Sequence, residues 1–168
     1  QELLKIINPF HLEKANEFNI NSIGVHIRMG DFEDPAKEQL LRDGAWNYRL
    51  PMKWYLSIVK KLRAQTSLPI YVFSDANDED LIDILQLENC KRAYLGSAIS
   101  DMIALSKCKV LVSSASTFSM WASFLGQMPT IWFPGQMRQK LIHNNKVFEG
   151  EIDYDEKLPE SIIQLIYK

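Results

Sequence analysis

The sequence predicts an α/β fold, a parallel sheet with helices on both faces, and three observations lead there. Short, mostly apolar runs of strand length recur along the chain, as expected where both faces of a sheet are covered. Stretches with helical periodicity separate them, so strand and helix alternate. Polar residues gather at the C-terminal ends of these runs, the edge where open α/β sheets bind ligands. With 168 residues, 46% of them hydrophobic, the chain can bury one sizeable core, and residues 1–168 read as a single domain.

The elements follow in order. Residues 1–20 form a lead-in segment, with a helix over 2–18 broken near Asn8-Pro9. In SIGVHIRMGDF, Ile23, Val25 and Ile27 alternate with Gly24, His26 and Arg28. That alternation predicts a strand over 22–28 with His26 and Arg28 on one face. Residues 29–51 show no clear periodicity, and so long a stretch inside a compact domain points to a functional loop. MKWYLSIVKKLRAQ is an amphipathic helix with Trp54, Ile58 and Leu62 on one stripe. PIYVFSD reads as a second strand, and NDEDLIDILQL as a helix whose acidic start suits the positive end of its dipole. RAYLG reads as a short strand and SDMIALSKC as a helix capped by Ser100. KVLVSS is another strand, STFSMWASFLG a helix closed by Gly126, and PTIWF the final strand. Residues 135–168 are expected to be loop and then a terminal helix from about Pro159.

Composition removes several function classes. A net charge of −2 gives no general attraction to nucleic acid or anionic membrane, so neither is expected as a partner. No apolar run approaches the roughly 18 residues that suggest a membrane span. Cys90 and Cys108 lie in or beside apolar segments without metal-ligand spacing, which fits two reduced, buried thiols and a cytoplasmic protein. The glycine-rich fingerprints GxGxxG and GxxxxGK[ST] are absent. DANDED places Asp78 and Asp80 at metal-binding spacing, but at a helix start such residues read first as a solvated acidic turn. His11 and His143 stand alone, and the four tryptophans follow no periodic pattern, which suits core or rim.

The polar strand ends could carry chemistry. Arg28 offers a planar fork of donors matched to phosphate oxygens, or it forms a salt bridge with Asp31. SASTFSMW places hydroxyls at Ser113, Ser114, Ser116, Thr117 and Ser119 where a strand turns into a helix. A helix N-terminus binds phosphate readily, whereas simple capping needs one hydroxyl only. Asp75 could contact a sugar hydroxyl or merely begin the acidic helix. Asp101 could accept from guanine or favour its own helix's first turn.

These segments resemble a known family. VHIRMGDF is similar to the His-x-Arg-Arg-Gly-Asp motif of inverting fucosyltransferases that use GDP-fucose, most closely the α1,2-fucosyltransferases of glycosyltransferase family 11. FSDA resembles their Phe-Ser-Asp-Asp segment. DMIALSKCKVLVSSASTFSMWASFL resembles their third block, which ends Asn-Ser-Thr-Phe-Ser-Trp-Trp. The three blocks keep the family order over roughly residues 22–126. Met29, Ala76, Ala115 and Met120 stand where the pattern has Arg, Asp, Asn and Trp.

The resemblance implies a Rossmann-like nucleotide-sugar domain, the donor-binding half of a two-domain (GT-B type) glycosyltransferase. A further domain of about 130–150 residues would precede the His-x-Arg strand. It implies GDP-fucose as donor, a glycan hydroxyl as acceptor, and no cofactor or metal. Arg28 would hold the β-phosphate and stabilise the charge growing there. His26 and Asp101 would meet guanine or ribose, Ser116, Thr117 and Ser119 would line the diphosphate, and Asp75 would sit near the fucose. Asp31 is the first candidate for the base, followed by Glu33 and Asp34. The alternative is a non-catalytic module that keeps only affinity for the GDP-sugar.

Overall fold

The computed structural model describes residue 5 and residues 7–167. Six strands form one sheet: β1 (Ile23–Ile27), β2 (Ile70–Ser74), β3 (Cys90–Arg92), β4 (Val110–Val112), β5 (Thr130–Trp132) and β6 (Glu149–Glu151). Their order is β3-β2-β1-β4-β5-β6, and every neighbouring pair is parallel. This is the doubly wound Rossmann order, which reverses between β1 and β4.

Alternation along the strands sends side chains to two cores. Ile23, Val25 and Ile27 pack with Ile70, Val72 and Val110 against α3 (Met52–Arg63) and α7 (Glu160–Ile166). Phe73 and Leu111 face the other way, onto α1 (Pro9–Asn16), α5 (Ala98–Leu105) and α6 (Thr117–Gly126). Helices therefore cover both faces, as the apolar strands require. The stripe Trp54, Ile58 and Leu62 is fully buried, and the Trp54 indole N–H donates to Ile152 O at 2.9 Å.

Several boundaries differ from the sequence expectation. The Asn8-Pro9 break is where α1 starts: Asn8 caps it by accepting the Phe10 N–H at 3.0 Å, and Pro9 takes the first helical position. The part of the expected helix over 2–4 and at 6 lies outside the described residues. Residues 29–51 hold a short helix, α2 (Glu38–Arg42), and a single bridge between Glu33 and Tyr48. NDEDLIDILQL splits into a 3₁₀ turn at Glu79–Leu81 and one helical turn, α4 (Ile82–Leu85).

The RAYLG strand moves back to Cys90–Arg92, because β2 pairs Ile70 with Cys90 and Val72 with Arg92. Ser97, not Ser100, caps α5, accepting the Ser100 N–H at 3.1 Å. Gly126 is the last residue of α6 rather than its stop. A Cβ there would lie 2.0 Å from Ser106 O, so glycine allows α6 to approach the end of α5. The left-handed position falls on Gln127, whose side-chain amide donates to Phe124 O at 2.7 Å.

PTIWF is not the last strand, since β6 lies within 135–168, expected as loop and terminal helix. Its Glu-Gly-Glu sequence carries no apolar signal. Glu149 is buried and accepts the N–H groups of Leu141 and Ile142 at 2.9 and 3.0 Å. Arg42 ties the long loop to this segment: it donates to Asp153 at 2.5 and 2.9 Å and lies over the rings of Phe133 and Tyr154. Among the described residues, no helix is long and apolar enough to cross a membrane.

Candidate functional site

A cleft of about 600 Å³ opens at the C-terminal edge of the sheet, over the ends of β1 and β2 and the turn after β4. It lies at the reversal in strand order. Of the residues singled out from sequence, His26, Arg28, Asp31, Asp75, Asp101, Ser116 and Thr117 line it, and Ser119 does not.

Arg28 is the first residue beyond β1, and its fork donates to both Asp31 and Asp75. The salt bridge weighed from sequence is therefore present, with a second carboxylate added from the neighbouring strand. Asp75 braces the turn as well, accepting the Met29 N–H at 2.8 Å. Gly30 makes room for it, since a Cβ there would sit 2.2 Å from Asp75 Oδ2. The guanidinium also lies over the Phe32 ring, 5.3 Å from its centroid.

His26 points from β1 into a socket of hydroxyls. Its Nδ1 is 2.6 Å from Ser114 Oγ, 2.7 Å from Ser119 Oγ and 3.4 Å from Ser116 Oγ. The ring stacks on Phe118 at 4.6 Å. Burial drives its pKa down to about 3; the Asp75 charge opposes this and Arg28 reinforces it. The imidazole is thus neutral across the physiological range.

The serine-rich turn divides its hydroxyls by role. Ser116 caps α6, accepting the Ser119 N–H at 3.4 Å, and Thr117 is exposed at the cleft. Ser119, expected beside a diphosphate, is instead fully buried outside the cleft lining, with its hydroxyl against the His26 ring. Ser113 accepts the Ala115 N–H at 3.2 Å. Ala115 holds a left-handed backbone, φ +57°, a conformation that asparagine tolerates better than alanine.

Asp101 sits on a side wall with Tyr94 and Ala98. Its Oδ1 accepts the Leu95 N–H at 2.6 Å. Partial burial raises its pKa above the usual carboxylate value, against the pull of that hydrogen bond. Phe32, Trp46 and Asn47 also line the cleft and were not singled out as ligand contacts from sequence. The available signal was two aromatics inside an aperiodic loop. Trp46 lies beneath the Arg138 guanidinium, 3.8 Å from the ring centroid.

The other candidates go elsewhere. Glu33 and Asp34 lie outside the lining of the cleft: the backbone of Glu33 bridges to Tyr48 with its side chain exposed, and Asp34 pairs with Arg49 at 3.6 Å. Asp78 is ion-paired with Arg92. His11 meets Ser97 Oγ at 2.9 Å and Ser100 Oγ at 3.2 Å. Cys90 and Cys108 are free and buried. Among the described residues, no three His, Cys, Asp or Glu side chains converge as metal ligands.

Comparison with known proteins adds a sequence relationship. The family model described as glycosyl transferase family 11 matches residues 2–140. The O-antigen biosynthesis glycosyltransferase WbnK of Escherichia coli is 29% identical over 160 residues, covering 84% of this chain and 49% of that protein. The chain therefore spans about half the length of the curated relative it matches. Crystal structures of POFUT1 overlap in part. The complex with GDP is 17% identical, with a TM-score of 0.48, over 75% of this chain and 46% of that one. The complex with GDP-fucose is 18% identical, with a TM-score of 0.47, over 73% and 45%.

Proposed function

The chain belongs to glycosyl transferase family 11, and from that premise we propose that it is the donor-binding half of a GDP-fucose-dependent fucosyltransferase of the GT-B type. One observation carries the reading. The cleft at the switch point brings together a guanidinium, a helix start, a neutral imidazole and a half-buried carboxylate. These groups suit a diphosphate, its nucleoside and a guanine.

In this reading the diphosphate lies against the start of α6 and takes over Arg28 from at least one carboxylate. Asp101 accepts hydrogen bonds from guanine, and Asp75 lies on the sugar side. A glycan hydroxyl attacks the anomeric carbon of fucose from the face opposite GDP, with inversion. The bond from that carbon to the β-phosphate oxygen breaks, Arg28 stabilises the departing charge, and Asp31 takes the hydroxyl proton. No metal takes part. The glycan acceptor belongs chiefly to a domain outside this chain. Two buried free thiols suit a cytoplasmic setting.

A second reading, a module that binds GDP-sugars without transfer, is favoured by Arg28 itself. Its fork is already shared by two carboxylates, which weakens it as a charge stabiliser. Calorimetric titration tests the shared core of both. GDP should bind at least ~10-fold tighter than UDP or ADP, ~1.4 kcal/mol, and EDTA should leave that affinity unchanged. Equal affinities for the three nucleotides would sink the guanine assignment, and a magnesium requirement would sink the metal-free reading.

A further inference from the structure

Ser119 is fully buried, Ser114 nearly so, and their hydroxyls converge on one nitrogen of His26. At 2.7 and 2.6 Å both hydroxyls are within hydrogen-bond reach of this nitrogen, a geometry that a donating hydroxyl satisfies. Ser119 Oγ already accepts the Ser114 N–H at 3.2 Å. Its own proton is left to point at His26 Nδ1 or at Ser114 Oγ, 3.1 Å away. A neutral imidazole carries a single N–H, so when Nδ1 accepts, the proton resides on Nε2. His26 also lines the cleft, with Phe118 stacked on its ring.

We infer that Ser119 and Ser114 are positioning residues that hold His26 in its Nε2–H tautomer, offering an uncharged N–H to an acceptor oxygen of the bound nucleotide. The inference rests on the nucleotide reading of the cleft. In the opposite tautomer, the ring would turn a nitrogen lone pair toward phosphate or ribose oxygens, a repulsive contact in place of a hydrogen bond. The second serine explains the surplus of hydroxyls in this turn. Capping α6 needs Ser116 alone.

The test is long-range ¹H–¹⁵N NMR of the histidine rings in the free protein, joined to GDP titration. In the wild type, His26 should appear as the Nε2–H tautomer. Ser119→Ala, and more so Ser114→Ala/Ser119→Ala, should convert it to a mixture and weaken GDP binding ~3- to 10-fold, as for loss of one neutral hydrogen bond. An Nδ1–H ring in the wild type would overturn the inference, as would an unchanged ring and unchanged affinity in the double variant. Should a variant fail to fold, the wild-type ring alone decides. If the wild type binds no GDP but its ring follows the serines as described, the nucleotide reading fails and the serine lock stands.

Discussion

Arg28 meets one carboxylate from its own turn and one from the next strand. That arrangement can position the guanidinium for a ligand or merely tie β1 to β2, and substitution separates the two. Arg28→Ala should cost GDP affinity ~2–4 kcal/mol, with Arg28→Lys between it and wild type because an ammonium cannot span a bidentate geometry. The apo melting temperature should change little, since the pairs are partly exposed and such pairs contribute weakly. Melting curves with and without GDP check both statements. A variant that melts early yet binds GDP normally would give Arg28 to the fold. His26 makes a prediction about acid. Its folded pKa of about 3 lies below the unfolded value of 6.5, so the native state binds fewer protons. The stability it supports is complete above pH 6.5 and is lost as pH falls toward 3, at up to roughly 1.4 kcal/mol per pH unit. Urea titrations between pH 7 and 4 should show this slope, and His26→Gln should flatten it whatever its absolute stability.

At the scale of elements, the contact between α5 and α6 depends on the missing side chain of Gly126. Gly126→Ala should destabilise by about 1–3 kcal/mol through overpacking against the Ser106 carbonyl, read as a lower urea midpoint at unchanged slope. A gain in stability, as expected for alanine in an unobstructed helix, would mean the two helices are not packed as described. How far the sequence disclosed these elements follows from what each one buries. β1, β2, β4, β5 and the stripe of α3 were legible because they fill a two-sided core and read as apolar runs or a clean period. β6 was not, because an edge strand of Glu-Gly-Glu takes its place through backbone pairing with β5 and two hydrogen bonds to Glu149. α2 was hidden for a related reason: Leu41 is buried within a helix too short to show a period. In the cleft, the motifs disclosed His26, Arg28 and Asp75. The inward turn of Ser119 and the Phe32–Trp46 wall depend on how distant segments meet, which spacing does not encode.

At the scale of the molecule, every strand pairing among the described residues is parallel, so each requires a crossover before any ladder hydrogen bond forms. The cleft inherits this. His26 and Ser119, which touch across the switch point, are 93 residues apart, and Arg28 and Asp75 are 47 apart. No short piece of the chain holds a usable fraction of the site. It is assembled only when β2, β1 and β4 stand side by side, through contacts that are long-range in sequence. On the proposed nucleotide reading of the cleft, GDP would be a latch on the finished structure rather than a template for reaching it. In stopped-flow measurements, saturating GDP should slow unfolding and leave the refolding rate unchanged. Faster refolding with GDP would place the strand ends together at the folding barrier, and the latch would have to be redescribed as a nucleus.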